Sequence, residues 1–192
     1  MSLLPHSNSS VPAVRLATFD NLGVLQEVGS NYAFVVQSIE HVRTHEGRMF
    51  SAGFMWDSTA KVANGAFADI AFTTPATASP HTVIDVMVGG DCEVYVYEDA
   101  TISGGTAITP INRNRRSSNT SNTTVVHTPA ITAVGNLIGR EFAPGGVGHK
   151  AGGGMGSFAG EFVTQYSKTY LVRVKNVSGS AQIVDSNIWL YE

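Results

Sequence analysis

The run His81-Thr82-Val83-Ile84-Asp85-Val86-Met87-Val88-Gly89-Gly90-Asp91-Cys92-Glu93-Val94-Tyr95-Val96-Tyr97-Glu98-Asp99 decides the fold class. Val83, Asp85 and Met87 alternate with Ile84, Val86 and Val88, and beyond the glycines Glu93, Tyr95 and Tyr97 alternate with Val94 and Val96. A period of two is the mark of strands with one face buried, and two such runs across a short glycine turn predict an antiparallel hairpin. The pair sits mid-chain with strand-like runs on both sides, so it is expected at the centre of a β-sandwich.

Working outward, Asn64-Gly65 separates a β-rich run from Met49 to Trp56 from the alternating stretch Phe67-Ala68-Asp69-Ile70-Ala71-Phe72, which predicts a second hairpin. Residues 32–45 fit both a helical stripe (Val35, Ile39, Val42) and a strand alternation, and the strand is the preferred reading. Extended structure is expected over 107–111, then a polar loop over 112–124, then a short strand at 125–128. Toward the C-terminus, Tyr170, Val172 and Val174 share one face and Leu171, Arg173 and Lys175 the other; a Ser178-Gly179-Ser180 turn leads into a last strand ending at Tyr191. About eight strands result, with hardly any helix. The expectation is an all-β chain: an antiparallel, jelly-roll-like β-sandwich over 36–192, preceded by an irregular extended N-terminal arm over 1–35. The glycine-rich stretch 144–160 reads as a flexible loop.

Composition narrows the function. Charged residues are 14% of the chain, against roughly 25% in ordinary soluble domains, which suits a surface packed against other subunits. The net charge of −3 offers no excess of cations for nucleic acid. A single cysteine, Cys92, rules out an internal disulfide and a multi-cysteine metal site, and its place at a strand start predicts a buried, inert thiol. No apolar run is long enough to span a membrane, and MSLLPHSNSS lacks the pattern of a signal peptide, so synthesis in a cytoplasm is expected.

The chemical motifs are fragmentary. His41 and His45 share a strand face but stand about 13 Å apart along it, too far to hold one ion; only on a helix could they chelate. His81, His127 and His149 complete no metal pattern, and no cofactor is expected. Asp85 and Glu93 could face each other across the central hairpin like a glycosidase pair. The serine at 157 lacks a nucleophile elbow, and residues 145–151 lack the ending of a phosphate loop. Acceptor patterns for glycosylation at Asn8, Asn119, Asn122 and Asn176 follow from richness in Asn, Ser and Thr. Arg113, Arg115 and Arg116 form the one basic cluster, which fits equally an acidic patch on a neighbouring subunit or a solvated loop tip.

The stretch Thr106-Ala107-Ile108-Thr109-Pro110-Ile111-Asn112-Arg113-Asn114-Arg115, the early His41-x-x-x-His45-Glu46-Gly47-x-x-Phe50 string and the closing Tyr170-Leu171-Val172-Arg173-Val174-Lys175-Asn176 with Trp189-Leu190-Tyr191-Glu192 resemble a family of small β-rich proteins of tailed bacteriophages. The likeness spans most of 39–192, and none of its motifs is catalytic. It implies a non-enzymatic virion protein of the head decoration (cement) kind: a jelly-roll or sandwich, homotrimeric, bound to the major capsid protein on the capsid surface, with no nucleic-acid or membrane partner. Arg113, Arg115 and Arg116 would then be capsid or subunit contacts. The alternative is a tail-fibre or baseplate module that binds host glycans through Tyr95, Tyr97 and Trp56.

Overall fold

The computed structural model describes residues 17–19, 25–27, 39–145 and 161–192. The chain divides into two compact units, Met1–Gln37 and Ser38–Glu192. Of the first, two short strands are described, β1 (Ala17–Phe19) and β2 (Leu25–Glu27), paired antiparallel. The rest of the expected arm, and the glycine-rich loop from residue 146 to 160, lie outside the described residues.

The second unit opens with α1 (Ile39–His45), where a strand is expected. Local chemistry explains the helix. Glu40 stands in its first turn and Arg43 and His45 in its last, complementing the helix dipole, and Arg43 pairs with Glu46. Gly47, at φ +69°, closes the helix: Arg48 N–H donates to Arg43 O and Gly47 N–H to Thr44 O, the pairing of a Schellman cap.

The strands that follow are β3 (Met49–Trp56), β4 (Phe67–Thr73), β5 (His81–Val88), β6 (Cys92–Glu98), β7 (Thr101–Ser103), β8 (Thr106–Ile108), β9 (Ile111–Asn112), β10 (Thr124–His127), β11 (Ala130–Ala133), β12 (Asn136–Ala143), β13 (Phe162–Val163), β14 (Thr169–Asn176) and β15 (Val184–Tyr191). They build a six-stranded sheet, β12-β6-β14-β4-β10-β8, and a five-stranded sheet, β13-β5-β15-β3-β9, antiparallel throughout. The all-β sandwich is as expected. Strands β11 and β12 are additions, since no alternation marks residues 129–143.

Both predicted hairpins are corrected. β5 belongs to the five-stranded sheet and β6 to the six-stranded one, so residues 89–91 carry the chain across the sandwich instead of folding it back beside itself. β3 and β4 are split between the sheets in the same way, as are β14 and β15. The physical reason is burial: the apolar faces of β5 (Ile84, Val86, Val88) and β6 (Cys92, Val94, Val96) both point inward. They line one core from opposite sides, whereas a hairpin would have put them side by side. Ladder partners come from distant sequence, β14 lying between β4 and β6 and β15 between β3 and β5.

Two of the three crossings are stitched together at one end by Asn176, which is fully buried, and the third joins them through the residues that follow it. Its side-chain amide donates to Val62 O and Ser180 O, and its side-chain oxygen accepts from Ser178 N–H and Oγ–H, so all its polar capacity is used. Its backbone exchanges bonds with Gly65 and Ala66. Gly89 N–H donates to Ile183 O, Val177 N–H donates to Asp91 O, and a side chain at Gly90 would strike Ser178 and Gln182. An acceptor pattern for glycosylation at Asn176 is therefore a by-product of composition.

Candidate contact surface

The stretch 112–123 is a polar loop, but it does not wave in solvent. Asn112, 8% exposed, donates to Gly47 O and Asn119 O and accepts from Asn114 N–H. Asn114 donates to His45 O and accepts from Arg116 N–H. Asn119 donates to Gly47 O. At the far end the Glu192 carboxylate accepts from the hydroxyls of Ser121 and Thr123 and from the backbone N–H of Asn122 and Thr123. Asn112 and Thr123 are thus buried although their residue types read as solvated. The signal for this was the density of Asn, Ser and Thr, which cap and turn backbone as readily as they face water.

The loop starts from β9, the end strand of the five-stranded sheet. There Arg113 N–H donates to Met49 O, and the Arg113 guanidinium lies 4.5 Å above the Trp189 ring, on the outer face of that sheet. Arg115 donates to Asn112 O at 3.4 Å. Arg115 and Arg116 are exposed and meet no carboxylate among the described residues. The three arginines of the basic cluster are therefore held together on a pinned loop, with two of them presented outward. Beside them, Arg48, Phe50, Asn119, Asn122 and Glu192 help to line a shallow cavity of about 570 Å³. Its carboxylate is already engaged in holding the loop.

The two outer faces differ. On the six-stranded sheet a flap of β7 and β11 covers part of the face, Ile102, Ile131 and Val134 packing with Ala71, Leu171, Tyr97 and Val126. This explains why Leu171, expected on the exposed side of β14, is fully buried. Next to the flap Arg173 makes two parallel bonds to Asp69, at 2.8 and 2.9 Å, and stacks on Phe67. On the five-stranded sheet Asp185 sits in register between Met87 and Met55, which are 45% and 53% exposed. Asp85 lies one row along, opposite Asn187. Partial burial, and secondarily the neighbouring Asp185 charge, push the Asp85 carboxyl above the usual aspartate value. Neither carboxylate has a cationic partner among the described residues.

Asp85 and Glu93 do not face each other as the hairpin reading required; they stand on the outer faces of opposite sheets. The histidines are separated too. α1 brings the His41 and His45 rings to 4.5 Å, His81 bonds Glu161 and stacks on Tyr191, and His127 stacks on Phe54, where burial lowers its pKa. Among the described residues no three His, Cys, Asp or Glu side chains are grouped to hold a metal. Cys92 is fully buried as expected, and burial pushes its thiol up to about 11. Ser157, His149 and most of the phosphate-loop-like string lie outside the described residues. Trp56 is buried in the core, whereas Tyr95 and Tyr97 stack 6.1 Å apart on the outer face of the other sheet, so these three form no common platform. No helix among the described residues is long and apolar enough to cross a membrane. No known protein family, curated protein or solved structure gives a match to this chain.

Proposed function

We propose that the protein is a structural component of a phage particle that binds and stabilises the capsid lattice, with the major capsid protein as its partner and the arginine loop as one of its contacts with neighbouring subunits. The observation that carries this reading is the pinned loop. A loop already ordered by its own hydrogen bonds loses little entropy on docking, so Arg115 and Arg116 are presented at low cost. Weak contacts of this kind become effective when a symmetric lattice repeats them.

The wiring of the sandwich supports the same reading. Strands β3, β15, β5 and β13 on one sheet and β4, β14, β6 and β12 on the other alternate along the chain as in a jelly roll, a fold used by viral capsid domains. That support is at the level of fold alone. The test is co-sedimentation of the full chain with undecorated phage heads, followed by imaging. Ordered density on the head lattice is the expected result. Absence from heads, with the protein found at the tail of intact virions, would move the assignment to a tail-fibre or baseplate module.

A further inference from the structure

The outer face of the five-stranded sheet carries opposite charges at its two ends. At the end of β15 near Tyr191, Arg113 lies over Trp189 with Arg115 and Arg116 following in the same loop. At the other end, Asp185 stands between the exposed Met87 and Met55, with Asp85 one row inward beside Asn187. Between them the face is flat: Ser51 and Gly53 have little or no side chain, and Asn187 fills the space over Gly53 so tightly that a Cβ there would lie 2.1 Å from its side-chain oxygen. Exposed Ile111 and half-buried Val83 and Trp189 add apolar area.

We infer that this face is a two-fold interface with a second copy of the chain, the sheets stacked face to face with strands running in opposite senses, so that each arginine loop covers the other copy's Asp85 and Asp185. It rests on reading the loop as an assembly contact, and not on the particle in which the protein serves. A two-fold contact must be self-complementary, and a face basic at one end and acidic at the other meets that condition when its copy is reversed. The reversal makes two charge contacts at once and covers both methionines, residues suited to adaptable interfaces. The three eight-residue strands β5, β15 and β3 span roughly 10 Å by 25 Å, so the short edge strands and the two arginine loops must supply much of the roughly 800 Å² per partner of a stable interface.

Sedimentation equilibrium of the full chain at high micromolar concentration is the test. The wild type is expected at the mass of two chains, dissociating as salt rises. Reversing one end, Asp85→Lys with Asp185→Lys, or the other, Arg115→Glu with Arg116→Glu, should weaken association by at least about tenfold. The chain carrying all four substitutions should dimerise again, and because rescue requires a folded protein, it separates lost contact from lost fold. A monomeric wild type would overturn the inference, as would a trimer, or a dimer indifferent to both reversals. None of these outcomes bears on capsid binding, which the co-sedimentation test decides separately.

Discussion

The two outer faces of the sandwich are built from the same kind of alternating strand, yet one is part-closed by a flap of the chain itself and the other is left more open, with α1 touching only its end row at Met49. On the six-stranded sheet the chain supplies its own cover, the β7–β11 flap, and pairs its central charges, Arg173 with Asp69. On the five-stranded sheet it leaves Asp85 against Asp185 and two methionines exposed. Charges that a chain pairs internally serve its own stability. Charges left in like-sign proximity on a flat face are a small cost to the lone molecule that a partner can relieve.

Substitutions can break this contrast, beginning with the closed face. Leu171→Ala should cost about 3 kcal/mol by chemical denaturation, because it hollows out the small core beneath the flap. A cost near zero would mean that the flap does not close that face in solution. Asp69→Ala, which strips Arg173 of a two-bond partner that is 12% exposed, should cost about 2 kcal/mol.

On the open face the sign reverses. Asp85→Asn should stabilise the lone chain by about 0.5 kcal/mol, measured in the Arg115→Glu, Arg116→Glu background so that association does not contribute. The folded state holds the Asp85 proton more tightly than the unfolded chain does. Its penalty is therefore present above the folded pKa and relieved as pH falls through it, so the gain should be full at neutral pH and vanish below the usual aspartate range. A gain that persisted in acid would point to a cause other than charge. The smallest effect is expected for Met87→Ser, within about 0.5 kcal/mol of zero in the same denaturation assay.

Legibility in the sequence followed the range of the interactions. Alternation at 81–88, 92–98 and 169–176 named those strands and their inward faces, because burial of one face imposes a period of two on any strand. The same alternation could not tell a hairpin from a crossing, since Val86 and Val94 are inward-facing in either case. The helix over Ile39–His45 was legible in the Val35, Ile39 and Val42 stripe and in the capping Gly47, but a strand alternation of equal quality competed with it. Strands β11 and β12 lack the alternation altogether. β12 exposes Leu137, Ile138 and Phe142 and has its register shifted between Leu137 and Gly139. The arginine cluster was visible as a cluster, while its anchoring by Asn112 and Glu192 was not.

By itself, then, the sequence determined the secondary structure class, the identity of most core residues, the inert burial of Cys92 and the place of the basic loop. Each of these depends on residue type and on neighbours a few positions away. Only the tertiary structure decided which sheet each strand joins, that Leu171 lies beneath a flap, that Asp85 lies one row from Asp185 and on the opposite sheet from Glu93, and that Glu192 holds a loop some 70 residues earlier in the chain. These depend on pairings between distant segments, and their free energy comes from a shared core and ladder that no local stretch contains.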